Sequence, residues 1–183
     1  FFYLPNLPYR PLLAHPLPKS PPPRLYSRHI SACLKAHYCC TIPLMTLTIH
    51  TDGGSRGNPG PAACAFVIAA GNQTLKEQAF YLGPTTNTQA EYQGVLKALE
   101  HLKLHPHLLA DFSGLEFILD SELIVHQLNG RYKIKHPDLL PLAQSAHAII
   151  ASLQLPVTFT HVLRAGNKRA DFLLNQELDS KAL

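Results

Sequence analysis

The 183-residue sequence has no tryptophan, one methionine, and four cysteines with no paired CxxC spacing. Without such a pair, neither a structural zinc site nor a disulfide framework is expected. No apolar stretch approaches the roughly 18 residues that a membrane-spanning helix needs, and no internal repeat is visible. Acid is missing from the front of the chain. Residues 1–44 hold five basic residues (Arg10, Lys19, Arg24, Arg28, Lys35) and no Asp or Glu. Residues 45–183 hold 11 basic against 12 acidic residues. The formal charge of +4 and the pI near 8.9 therefore belong to the first 44 residues. The remainder is nearly neutral, so its charge does not mark it as a nucleic-acid binder.

Nine of the 16 prolines and three of the four cysteines (Cys33, Cys39, Cys40) also fall in residues 1–44. With no sustained period of 2 or 3.6, this segment is expected to be an extended or disordered basic extension. Met45 is the only methionine and stands just before the first expected strand. The preferred expectation is that translation begins there and that residues 1–44 are upstream reading frame. A basic targeting peptide and a nucleic-acid-holding tail are the competing readings. Residues 45–183 are long enough for one domain. In that domain Cys64 lies in an apolar run and reads as a small buried residue.

Residues Met45–His50 read as a short strand, with Leu47 and Ile49 on one face. The stretch Asp52-Gly53-Gly54-Ser55-Arg56-Gly57-Asn58-Pro59-Gly60 follows and reads as a flexible loop able to approach a partner closely. Ala62–Ala70 and Thr74–Leu82 read as two more strands joined at Gly71-Asn72. The polar middle of the last, Lys76-Glu77-Gln78, suggests a sheet edge. Thr88 and Glu91 have capping-box spacing at the start of a helix running to about Leu104. Its buried face is Tyr92, Val95, Leu96, Leu99 and Leu102. The histidines at its end read as solvated residues rather than ligands. A strand from Leu115 to Leu119 ends at Asp120, and Ser121 reads as the cap of a helix over Glu122–Leu128. A basic linker (Arg131, Lys133, Lys135), a helix from Pro137 to about Leu153, a strand over Val157–Val162 and a last helix over Lys168–Leu178 complete the order. A meander followed by crossover units implies a mixed sheet with helices on its faces.

Four acids share one setting. Asp52 and Asp120 end strands, and Glu91 and Asp171 lie in the first turns of helices. Each has an ordinary reading: a turn residue, a residue before a cap, a capping-box partner, a carboxylate favoured by a helix dipole. If the first and fourth strands are neighbours, however, Asp52 and Asp120 stand side by side. Like charges so close call for neutralisation. Hard divalent cations suit carboxylates, and Mg²⁺ keeps open water positions. A pair of such ions stabilises both oxygens of a phosphoryl displacement.

The segments Asp52-Gly53-Gly54-Ser55, Gly57-Asn58-Pro59-Gly60, Thr86-Asn87, Ala90-Glu91-Tyr92, Asp120-Ser121 and Asn167 with Ala170-Asp171 together resemble the motifs of type 1 ribonuclease H, in its compact archaeal-like or reverse-transcriptase-like branch. The likeness runs from about Met45 to Leu178. It implies an α/β ribonuclease H-like fold, a five-stranded mixed sheet in order 3-2-1-4-5 with helices on both faces. It implies hydrolysis of the RNA strand of RNA–DNA hybrids with two Mg²⁺ ions, Mn²⁺ being a possible substitute, leaving 5′-phosphate and 3′-hydroxyl ends. Asp52, Glu91, Asp120 and Asp171 would then be the catalytic metal ligands. Gly53, Ser55, Asn58, Asn87, Glu122, Arg164 and Asn167 would face substrate, the glycine loop reading RNA 2′-hydroxyls. A cytoplasmic monomer with no membrane partner is the expectation.

The sequence departs from the family in three places, and His161 reads as a strand residue rather than a catalyst. The long basic, Trp-rich excursion is reduced to Arg131, Lys133 and Lys135; the histidine-bearing loop before the last acid is replaced by a short stretch with Arg164; and Glu122 stands where Gln is common. Two other readings stay open: a catalytically silent hybrid-binding module, and a nuclease for another duplex such as double-stranded RNA.

Overall fold

In the computed structural model, residues 45–181 are described. The expectations for residues 1–44 lie outside them. The elements are β1 (Thr46–Ser55), β2 (Gly60–Ala70), β3 (Gln73–Thr85), α1 (Asn87–Leu104), β4 (Gly114–Leu119), α2 (Glu122–Leu128), α3 (Leu139–Leu153), β5 (Val157–His161) and α4 (Lys168–Ser180), with short 3-10 turns at Pro106–Leu109 and Arg164–Gly166. The five strands form one sheet in the order β3-β2-β1-β4-β5. The β1–β2 and β2–β3 pairs are antiparallel, and the β1–β4 and β4–β5 pairs parallel. This is the expected topology, and β3 is the expected edge.

Alternation along β1 and β2 explains why the sheet is covered on both faces. Leu47, Ile49, Phe66 and Ile68 join Tyr92, Val95, Leu99 and Leu102 of α1, with Ala143 and Ala146 of α3, in the larger core. Ala63 and Ala65 point to the other face and meet Leu174 and Leu178 of α4. Strand β2 is thus buried on both sides, so its sequence is a continuous apolar run rather than an alternating one. Cys64 is fully buried within it, and burial pushes its thiol up to about 12. It is the small interior residue expected and not a nucleophile.

The boundaries differ from expectation in three informative places. First, most of the glycine-rich stretch is strand. Gly53 pairs with Cys64, Gly54 with Ala63 and Ser55 with Ala62, leaving only residues 56–59 as the connection. Second, β3 runs on through Gly83 and Pro84 to Thr85. Proline is tolerated on an edge strand because its missing donor faces no neighbour. Third, the capping box of α1 is Thr86 with Gln89, not Thr88 with Glu91. The Thr86 hydroxyl accepts from the Gln89 N–H at 3.3 Å, and the Gln89 side chain accepts from the Thr86 N–H at 3.2 Å. The cap therefore does not engage the Glu91 side chain.

Candidate active site

Strand register aligns the first two acids. The β1–β4 pairing runs from Thr46 opposite Gly114 to His50 opposite Ile118. Two residues further along both strands stand Asp52 and Asp120, level with each other where the parallel pairing ends. A one-residue slip would turn one of them to the opposite face.

Helix α1 brings the third acid. A Cβ on Gly53 would lie 2.2 Å from the Ala90 carbonyl carbon, and one on Gly94 would lie 2.8 Å from the Asp52 carbonyl oxygen. Real side chains cannot occupy either space. A glycine on each element thus lets α1 rest directly on the β1 backbone, with Glu91 beside Asp52. Gly53 is accordingly required for packing, whatever else it faces. Gly94 escaped the sequence reading; a lone glycine inside a strongly periodic helix was the available signal. Tyr92 fixes the rotation of α1 from the other side: it is fully buried, and its hydroxyl donates to Gln127 Oε1 of α2 at 2.9 Å.

The fourth acid, Asp171, enters from the opposite face of the sheet on the first turn of α4. Leu174 and Leu178 of the same helix pack on β2 and aim that turn into the cleft. The four carboxylates come from four separate elements and line one cleft of about 240 Å³ together with Gly54, Ser55, Arg56, Asn87, Arg164 and Asn175.

The acids differ in their surroundings. Asp52 is 9% exposed, and its Oδ1 accepts from the Gly53 N–H at 2.8 Å. Burial raises its carboxyl to about 7, with the charges of Asp120, Asp171 and Glu91 adding to the rise. Burial likewise raises Glu91 to about 7, and Asp120 adds to this, against hydrogen bonds from Ser121 and Asn87. Those bonds are Ser121 Oγ to Glu91 Oε2 at 3.0 Å and Asn87 Nδ2 to Glu91 Oε1 at 3.1 Å. Asp120 accepts from Asn167 Nδ2 at 3.4 Å. Asp171 accepts from Arg164 Nη2 at 2.5 Å and from Asn175 Nδ2 at 3.2 Å. This pairing holds the Arg164 guanidinium above its ordinary value.

The residues expected to face substrate divide. Gly53, Ser55, Asn87 and Arg164 line the cleft. Asn58 borders the neighbouring cleft with Thr86, Gln89 and His136, and its Oδ1 accepts from the Asn87 N–H at the start of α1, 3.1 Å away. Glu122 does not line the acid-bearing cleft; its exposed carboxylate lies 3.4 Å from His126 Nε2, one turn along α2. Asn167 is 1% exposed. Its amide donates to the Thr51 carbonyl at 2.9 Å as well as to Asp120, so it ties the start of α4 to β1 and steadies an acid. Ser121 is the N-cap residue of α2 but makes no side-chain cap bond; its hydroxyl points to Glu91 and donates to it. Asn175 was also missed; its position one helical turn after Asp171 was the signal.

Four buried or half-buried carboxylates with two raised well above the ordinary range form a site short of positive charge. Such an all-oxygen donor set suits a hard divalent cation. Among the described residues, no three acid, histidine or cysteine side chains are gathered closely enough to hold a metal as they stand. The Arg164 contact to Asp171 and the two bonds to Glu91 show what currently occupies those oxygens.

The comparisons with known proteins give the family. The model of the reverse transcriptase-like family matches residues 50–176. A bifunctional protein of Mycobacterium tuberculosis is 39% identical over 141 residues, covering 75% of this chain and 37% of that protein. A ribonuclease HI of Halobacterium salinarum is 39% identical over 131 residues, covering 70% of this chain and 62% of that enzyme. The chain thus spans less than two thirds of either relative. The structure of LC11-RNase H1, isolated from compost by a metagenomic approach, superposes with a TM-score of 0.71 at 40% identity, covering 75% of this chain and 99% of that one. The same LC11 enzyme has been solved in complex with an RNA/DNA hybrid. With the sheet order and these relatives in agreement, the chain belongs to the ribonuclease H family.

Proposed function

We propose that this chain is an endonuclease that hydrolyses the RNA strand of RNA–DNA hybrids, with two divalent cations held by Asp52, Glu91, Asp120 and Asp171. The observation that carries the reading is the convergence of four carboxylates from four elements on one cleft. A pure binding module has no use for clustered acids facing phosphates, since they repel the ligand. The hybrid as substrate is supported by the complex of the 40%-identical relative. Magnesium is the cation of choice, with manganese as a substitute; bound there, the ions would neutralise the acids and stabilise the attacking and leaving oxygens of a phosphodiester.

The chain's own residues have separable tasks in this reading. Asn87 and Ser121 orient the Glu91 carboxylate through their hydrogen bonds, and Asn167 does the same for Asp120. Arg164 is the cation beside Asp171 and presents its charge to a phosphate in the cleft. Its Arg164→Ala variant is expected to lose turnover. The bare backbone of Gly54 and the side chains of Asn58 and Asn87 are the groups we assign to reading a 2′-hydroxyl, the group that separates RNA from DNA. The domain's neutral charge and its short basic linker predict hybrid binding that weakens with salt.

The test is cleavage of matched hybrid, duplex RNA and duplex DNA with Mg²⁺ or Mn²⁺, alongside Asp52→Asn. Hybrid cleavage that Asp52→Asn abolishes is expected. Activity that survives the substitution defeats the mechanism. Hybrid binding without cleavage supports a silent module, and preferential cleavage of duplex RNA moves the substrate assignment.

A further inference from the structure

The four acids are not neutralised alike. Asp52, Glu91 and Asp120 are held by neutral donors: a backbone N–H, the Asn87 amide, the Ser121 hydroxyl and the Asn167 amide. Asp171 alone of the four is paired with a cation, Arg164, at 2.5 Å. Among the described residues the other cationic side chain lining the cleft, Arg56, pairs with Asp179. Among the described residues, Arg164 is therefore the cleft guanidinium committed to a candidate metal ligand. Its side chain is 75% exposed and projects from a three-residue 3-10 turn between β5 and α4. An ion pair this open to water is weak, and a long arginine side chain can leave it without moving the backbone.

We infer that Arg164 is a built-in counter-ion of the metal-free cleft, occupying the Asp171 carboxylate until a divalent cation displaces it. The inference rests on the reading of the cleft as a cation site. Its consequence is unequal filling. A cation using Asp52, Glu91 and Asp120 meets no competing guanidinium, whereas one using Asp171 must first displace Arg164. Arg164 thus acts as a positioning residue that sets the affinity of the Asp171-dependent step. The same event that lets Asp171 accept a cation releases the guanidinium into the cleft.

The experiment uses the substrate-free chain titrated with Mg²⁺ by calorimetry, in wild type, Arg164→Ala, Asp171→Asn and the double variant. Arg164→Ala is expected to tighten the weaker binding step about 5-fold, the size of one exposed ion pair. In the Asp171→Asn background, removing Arg164 should change nothing further. Unchanged affinity in Arg164→Ala overturns the inference, and so does equal tightening with Asp171 removed, which would mark a diffuse field rather than a pair. The Arg164 Nε–H resonance supplies a second readout. It is expected to shift at saturating Mg²⁺, and an unmoved signal is also fatal. Hybrid cleavage is measured in parallel. A wild-type chain that shows the displacement but cuts no hybrid sinks the nuclease reading alone. One that cuts hybrid while Arg164→Ala binds Mg²⁺ no tighter sinks this inference alone.

Discussion

The two walls of the cleft are built on different principles. On one side, Asp52, Glu91 and Asp120 are locked by strand register, by Gly53 and Gly94 in backbone contact with the facing element, and by Tyr92 anchored to α2. On the other, Asp171 stands at a helix start, held by an exposed arginine and by Asn175 from its own helix. The first wall concentrates buried negative charge in a fixed arrangement, at a cost to stability. The second keeps a charge that can exchange partners. On the proposed function, a site that would hold two cations and then part with products gains from one rigid wall and one adjustable wall.

The sharpest way to break the comparison is Asp52→Asn. Hybrid cleavage is expected to fall at least ~10³-fold, equivalent to about 4 kcal/mol of transition-state stabilisation. The same variant should melt higher than wild type in EDTA at pH 8, because it removes a buried carboxylate that resists ionisation. Lower cleavage with lower melting would mean that Asp52 serves the fold.

Gly53→Ala tests rigidity itself. Its Cβ would meet the α1 backbone, which cannot yield as a flexible side chain would. A loss of about 3 kcal/mol, read by urea unfolding, is expected. A loss below ~0.5 kcal/mol would mean that α1 can shift and that the wall is softer than it looks.

The pH dependence of metal-free stability comes next. Asp52 rises from 3.8 and Glu91 from 4.5, each to about 7. Between roughly pH 4 and 7 the folded chain binds protons that the unfolded chain does not. Their contribution is fully present below about pH 4 and is lost as pH rises through about 7. In EDTA, these two groups should therefore make the chain less stable at pH 8 than at pH 5.5, by on the order of a few kcal/mol. Added Mg²⁺ should restore part of the loss at pH 8 and little at pH 5.5. A melting temperature that rises from pH 5.5 to 8 in EDTA would contradict the charge-starved wall.

The smallest effect is expected at Glu122, which pairs with His126 away from the acids. Glu122→Gln should leave hybrid cleavage within about twofold of wild type, since a surface substitution of this kind rarely exceeds ~0.5 kcal/mol. A tenfold change would extend the substrate groove to α2.

Much of this molecule was legible from its residues. The apolar alternation of β1, the continuous run of β2 and the helical stripe from Tyr92 to Leu102 marked the elements and their order, while the strand order 3-2-1-4-5 followed from the family resemblance. The glycine-rich stretch was harder to read. Gly53 and Gly54 carry no strand propensity and look like loop, yet they pair with β2, Gly53 lying against the backbone of α1 and Gly54 against Leu174 of α4. Ser121 and Thr88 have the chemistry of caps, but the cap of α1 is Thr86 and the Ser121 hydroxyl goes to Glu91. Asn167 was expected to face substrate and is instead buried against Thr51 and Asp120. In each case several partners were chemically equivalent along the chain, and the choice depended on a neighbour distant in sequence.

The sequence by itself determined the order of strands and helices and a mixed sheet with helical layers, because period and residue type are local properties; the strand order within the sheet and the four acids as candidate metal ligands came with the family resemblance carried by the motifs. Tertiary structure alone decided which polar side chains serve those acids: Asn87 and Ser121 for Glu91, Asn167 for Asp120, Arg164 and Asn175 for Asp171. It also decided that one carboxylate is paired with a cation while three are not. Charge environment depends on distance and burial in three dimensions, and a linear pattern of residues carries neither.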